Sequence, residues 1–269
     1  MRMRSPLYPA RIIRFRPKGG ENRPAGAWSR SRVDKKLSSI DSIGFGQFAP
    51  VFPLPNAVLF PRAILPLHVF EPRYRIMTQD ALTGSRLIAM ALLKPGYEAQ
   101  YHTLEAEVYP VVCVSRIVRA ERLSDGRYNA LLQGLLRAEI LHENTELQYR
   151  RAQLRPLPPD QLSPELQRTL RHELQCAITE PPMDELAAET NWKDLLSCPD
   201  LCLSDLVDLL GSVALQTVEQ KQSLLAEPRI EPRLKFLCGA FKALAADYRE
   251  QCRCRSKGPR AWPPDCLTN

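Results

Sequence analysis

The period of the apolar residues changes once along this chain, at Pro156-Leu157-Pro158-Pro159. A strand repeats its faces every two residues and a helix every three to four, so the switch separates two kinds of architecture. Upstream, apolar residues come in short runs punctuated by proline or turn residues. Extended pieces are expected at 51–55, 57–60 and 64–67, each bounded by proline and therefore read as edge or bulged strands. Glu71-Pro72-Arg73-Tyr74 opens a helix with Pro72 at its first position. Tyr74, Met77 and Ala81 form its core face, and Gly84 stops it. Runs of strand length come next, at 87–93 and 108–118. Ser124-Asp125-Gly126-Arg127 is a turn signal joining 117–123 to 128–133 in a hairpin. Further strands are expected at 135–141 and 149–154. No long crossover follows Gly84, which predicts an antiparallel, curled or barrel-like sheet with one capping helix.

Downstream the stripes are helical. Ser163-Pro164-Glu165 reads as an N-cap followed by proline at the first helical position, ahead of Leu166, Leu170, Leu174 and Ile178 at spacing four. A second helical unit is expected over 201–215 with Ser204 as a cap, a third over 218–225 before Pro228, and a last over 232–248. In the last, Leu234, Leu237, Phe241, Leu244 and Tyr248 share one face. The fold class is thus α+β: a β-rich subdomain at 50–155 and a helical bundle at 160–250.

Charge divides the chain in the same way. Residues 1–49 hold 11 Lys+Arg and 3 Asp+Glu, a net of +8, whereas residues 50–247 hold 21 and 25, a net of −4. The overall +7 therefore belongs to the ends and is poor evidence for a nucleic-acid-binding fold. Residues 1–49 are basic and lack an apolar period, so they are expected to form a disordered extension. A transit peptide and a start codon placed too early remain alternative readings of the same segment. Nucleic acid is expected, if anywhere, on this segment. Residues 251–269 read as a second disordered tail. No run reaches 18 apolar residues, so no membrane partner is expected.

Chemistry-bearing motifs are sparse. The eight cysteines include two close pairs, Cys198-x3-Cys202 and Cys252-x-Cys254, neither with zinc-site spacing. Cys113 and Cys238 read as small core residues. His68, His102, His142 and His172 form no paired motif, and G-x-S-x-G and the phosphate-cradling P-loop are absent. No catalytic residue, cofactor or metal is expected.

The segment from Phe52-Pro53-Leu54-Pro55-Asn56 to Phe60-Pro61, then Leu65-Pro66-Leu67-His68-Val69-Phe70-Glu71-Pro72-Arg73-Tyr74-Arg75, resembles the opening of the Lon N-terminal, substrate-binding domain family. Tyr109-Pro110-Val111 through Ile117, Asp125 to Asn129, Gln133-Gly134 through Arg137, and Asp208-Leu209-Leu210 to Lys221-Gln222-Ser223-Leu224-Leu225 match in order and spacing. The resemblance covers roughly residues 50–248. It departs at Arg62, Val112 and Ser115, where the family often has glycine; these bear on how closely backbones approach there.

The resemblance implies a β-rich half followed by helices and contact with unfolded polypeptide. The ATPase and Ser–Lys protease domains that succeed it in the full protease are expected to be missing from this chain. The implied protein is a stand-alone, non-enzymatic, cytoplasmic module of bacterial type. It would bind unfolded or apolar polypeptide segments in protein quality control, with a protease or chaperone as a further partner. Candidate polypeptide contacts are His68, Phe70, Glu71, Arg73 and Tyr74. Against each stands a structural role: Phe70 and Tyr74 as core, Glu71 and Arg73 as a pair around a helix N-terminus. Two other readings differ in kind. One is a small-molecule or regulatory sensor, by likeness to ligand-regulated ubiquitin-ligase receptors, although their zinc-binding C-x2-C pairs are absent. The other is an RNA-associated protein acting through residues 1–49.

Overall fold

A computed structural model describes residues 48–256, apart from 182, 185–191 and 199. The basic extension expected over 1–49 lies outside these residues except at its last two, and the tail lies outside them beyond Ser256. The element order is mixed α+β: β1 (Ala49–Leu54), β2 (Ile64–Val69), α1 (Pro72–Thr83), β3 (Leu87–Leu92), β4 (Val111–Arg122), β5 (Tyr128–Asn144), β6 (Arg151–Pro156), α2 (Pro164–Thr179), α3 (Trp192–Ser197), α4 (Leu203–Ala214), α5 (Val218–Ala226) and α6 (Ile230–Ser256).

The sheet runs β2-β5-β4-β3-β1-β6, and β6 pairs again with β5. The ladders of β1, β3, β4, β5 and β6 therefore form a closed circuit, with β2 added outside it on β5. The long β5 makes this possible. Its first half pairs β2 and β4, and its second half pairs β4 and β6.

Four sequence expectations need correction. The sheet is not wholly antiparallel, because β1 and β3 run parallel with Val51 opposite Ala89 and Leu54 opposite Leu92. A parallel neighbour needs a crossover of a dozen or more residues, and the stretch containing β2 and α1 supplies it. Residues 57–60 form no strand. Leu59 and Phe60 instead insert into the core from a loop. Residues 128–144 form one strand rather than two. Gly134 does not break it because register shifts in the β4–β5 ladder absorb the irregularity there. Finally, α4 is capped by Cys202, whose sulfur accepts from Asp205 N at 3.4 Å, while Ser204 is buried inside the first turn.

Other expectations hold. In the hairpin, Leu123 N donates to Arg127 O and Gly126 N to Leu123 O, with Gly126 at φ 82°. Ser163 Oγ accepts from Leu166 N. Helix α6 continues eight residues past the predicted end at Tyr248, to Ser256. One apolar cluster runs from Phe52, Tyr74 and Ile117 through Leu174, Trp192, Leu206 and Leu234 to Phe241, so strands and helices share a core.

A buried ionic cluster joins the sheet to the helices. Asp208 of α4 receives Arg137 of β5 on both carboxylate oxygens, and Oδ1 also accepts Arg233 Nη1 of α6 at 2.6 Å. Arg137 Nε donates to Leu225 O at 3.0 Å, and Arg233 Nη2 donates to Ser204 Oγ at 2.8 Å. Gln222 Nε2 of α5 reaches Val111 O of β4 at 2.9 Å.

The positions where glycine is common in the family divide in two. Arg62 has φ 67°, the left-handed region that glycine occupies without a Cβ penalty. Arg62 N donates to Gly134 O at 2.9 Å, and its guanidinium reaches Asp205 at 3.4 Å, which hold it there. Val112 and Ser115 are buried, and Ser115 Oγ donates across the ladder to Ile88 O at 2.7 Å. The chain thus has room for side chains at these two sites.

Cys113 and Cys238 are buried, as expected from their apolar runs. Burial pushes the Cys113 thiol up to about 12. At pH 8 its thiolate is then far scarcer than the roughly one quarter of an ordinary thiol. Maleimide at pH 8 should leave Cys113 unmodified until denaturant is added. Labelling of Cys113 in native protein as fast as in unfolded chain would contradict this packing.

Candidate functional site

The five residues singled out from sequence do not form one surface. Tyr74 is only 4% exposed; its ring lies 4.4 Å from that of Phe52, and burial raises its phenol to about 12. Arg73 is a fastener. Its Nε bonds Glu71 Oε2 at 3.0 Å, Nη1 and Nη2 donate to Thr103 O and Tyr101 O, and its guanidinium covers the Tyr74 ring. Glu71 precedes α1 without capping it through its side chain, which is half-buried and turned to Arg73. Arg73 thus pins the 101–103 loop to the start of α1, with Glu71 and the Tyr74 ring holding its guanidinium.

His68 and Phe70 are different. Phe70 is 60% exposed, and its ring stacks 6.4 Å from that of His68. His68 Nδ1 shares a hydrogen bond with Asn129 Oδ1 at 2.8 Å, and Nε2 lies 3.2 Å from Arg127 Nη1. Arg127 in turn holds Asp125 through Nε at 2.6 Å and through its backbone N–H at 3.0 Å.

The ladder shows what accompanies them. Among the described residues, strand β2 ends the sheet and is paired on one side, to β5. Directly paired residues share a face, so Ile64, Pro66 and His68 stand beside Gln133, Leu131 and Asn129. One strand further in come Arg116, Arg119 and Glu121 of β4. Ile64 is 50% exposed, and Val118 is exposed at a bulge beside this row. Leu65, Leu67 and Val69 point the other way, towards the core. The result is an apolar column of Ile64, Pro66 and Leu131, continued by Phe70 and rimmed by polar and mostly basic side chains.

Sequence reasoning missed Ile64, Pro66, Leu131 and Asn129. In Ile64-Leu65-Pro66-Leu67-His68-Val69 both faces carry apolar residues, so alternation does not reveal which one faces water. Among the described residues, no group of three or more His, Cys, Asp or Glu could hold a metal ion. No described helix is long and apolar enough to cross a membrane.

Known proteins share this architecture. The N-terminal domain of the Mycobacterium avium complex Lon protease superposes with a TM-score of 0.57 at 19% identity, covering 73% of this chain and 98% of that one. A Lon N-terminal domain protein from Xanthomonas campestris gives 0.51 at 21%, covering 72% and 98%. At this identity the likeness is one of fold. In sequence, Lon protease of Anaeromyxobacter dehalogenans is 24% identical over 70% of this chain and 22% of its own length. Lon protease 2 of Herpetosiphon aurantiacus is 30% identical over 70% and 23%. The chain thus spans about a quarter of the length of the curated relatives it matches. The family model described as the ATP-dependent protease La (LON) substrate-binding domain matches residues 49–241, so the chain belongs to that family.

Proposed function

We propose that this chain is a non-enzymatic polypeptide-binding module, which takes extended apolar segments of unfolded proteins on the outer face and free edge of β2. The observation that carries this reading is exposed Ile64 on a terminal strand with exposed Phe70 just past its end. A terminal strand offers backbone donors and acceptors to an added strand, and apolar side chains beside it give area to bury. Family membership supports a substrate-binding role in Lon-type proteolysis. In this reading the closed circuit of strands is a small barrel over 50–155, the helices of 160–250 are a bundle braced against it, and the module works in the cytoplasm beside a protease or chaperone.

His68 and Phe70 stay in the site, joined by Ile64, Pro66 and Leu131. Tyr74, Glu71 and Arg73 act through positioning, because Tyr74 is turned to the core, Arg73 to the 101–103 loop and Glu71 to Arg73. Affinity is expected on the order of micromolar, about −8 kcal/mol, since one shallow strip offers few anchors and the client loses entropy.

Fluorescence anisotropy with an unfolded, apolar peptide tests this. Ile64→Ser with Phe70→Ser should weaken binding at least about tenfold, the weight of one or two lost anchors. The melting temperature should hold, because both side chains face water. Unchanged binding in the double variant would reject β2 as the site.

A further inference from the structure

Between α1 and the tip of the β4–β5 hairpin lies a cleft of about 220 Å³, lined by Arg75, Ile76, Gln79, Arg122, Gly126 and Tyr128 with Pro72 at its rim. This is room for one amino-acid side chain or a chain end. Two lining residues are arginines and none is acidic. Among the described residues neither guanidinium has a hydrogen-bond or ion-pair partner of its own. The nearby Asp125 is hydrogen-bonded by Arg127, which reaches one carboxylate oxygen with its side chain and the other with its backbone N–H, and Arg75 adds only a weaker, through-space attraction to it.

The wall at Gly126 is shaped for Arg75. Gly126 has φ 82°, and a Cβ there would meet Arg75 Nη2 at 2.2 Å. The guanidinium can therefore lie against bare backbone. Arg122 stands opposite Tyr128 in the ladder, on the face turned towards α1. Ile76 and the buried Tyr128 complete a partly apolar lining. Two guanidiniums beside a partly dehydrated wall suit a carboxylate, which accepts paired N–H donors. The cleft lies around the hairpin tip from the β2 strip: Arg127, next in sequence to Gly126 of the cleft wall, contacts His68 on the outer face, so a chain on β2 reaches the cleft by passing over that tip.

We propose that this cleft binds a carboxylate of the polypeptide that lies on β2, either an acidic side chain or the C-terminal carboxylate. The proposal rests on the polypeptide-binding reading of β2 and adds a preference for acidic or terminal segments.

The test uses the full chain and four fluorescent peptides with one apolar core sequence. One is amidated and neutral, one carries a single Glu, one carries Gln in its place, and one has a free C-terminal carboxylate. The Glu or the free-carboxylate peptide should bind about tenfold tighter than the neutral one at low salt, and the gain should shrink at 0.5 M salt. Which of the two gains identifies the source of the carboxylate. Arg75→Gln with Arg122→Gln should erase the gain and leave the neutral peptide unaffected. Arg119→Gln, which removes a charge from the outer face, should preserve it. Equal binding of all four peptides, or a gain that survives the double variant, overturns the cleft while the neutral peptide still supports β2. Binding of none of them overturns both.

Discussion

Asp208→Asn will lower the unfolding free energy by about 3–5 kcal/mol, the usual cost of removing one partner from a buried ion pair. Asp208 is 1% exposed and faces two buried guanidiniums, those of Arg137 and Arg233. The cluster carries +1 as it stands and would carry +2 after the change, buried away from bulk solvent. Asparagine keeps the shape, so the loss isolates charge from packing. The effect should reach both halves of the chain, because the cluster ties β5 to α4 and α6 and donates to the end of α5. Urea unfolding followed through the buried Trp192 will measure it. Adding Arg233→Met returns the cluster to +1 and should recover part of the loss, so the two changes will be sub-additive. A cost below about 1 kcal/mol for Asp208→Asn would mean that the cluster is far more hydrated than its burial implies.

Gly134→Ala should cost about 3 kcal/mol, at the upper end for overpacking, because the clash is with backbone. A Cβ at Gly134 would lie 2.0 Å from Phe60 O and 2.8 Å from Phe60 C. Those atoms cannot retreat easily. Gly134 N donates to Ala63 O and Gly134 O accepts from Arg62 N, which fasten the 60–63 loop onto β5. The melting temperature should fall by about 6–12 °C, at 2–4 °C per kcal/mol for a domain of this size. Gly211→Ala is the control. Its nearest neighbour, at 2.2 Å, is Leu224 Cδ2, the end of a side chain that can rotate. Alanine also gains up to about 1 kcal/mol of helix propensity there, so the net loss should be much smaller. Equal losses at the two glycines would remove the distinction between backbone and side-chain contact.

Several motif residues of the resemblance now have a physical role. Arg137 and Asp208, which end one motif and begin another, form the buried cluster. Gly134 is where a loop backbone meets a strand. Arg73 of the Glu-Pro-Arg-Tyr segment is the fastener of the 101–103 loop. The residues that make the family recognisable here are in large part those that hold the fold together, which is why motif matching located the fold more readily than the site.

Local signals in the chain were enough to set the two kinds of element, their order, the hairpin at Asp125-Gly126, the Ser163 cap and the core face of α1. Each rests on an apolar period, a proline, a positive-φ glycine or a capping hydroxyl. Long-range packing was needed to lay β1 parallel to β3, to make β5 bridge both halves of the sheet, and to bring Leu59 and Phe60 into the core from a loop. It also left Phe70 facing water while covering Tyr74, although the two are four residues apart in one motif. The same holds for the pairing of Arg137 with Asp208 across 71 residues. Such outcomes depend on which distant surface covers each side chain, and short-range patterning carries no record of that when both faces of a segment are apolar.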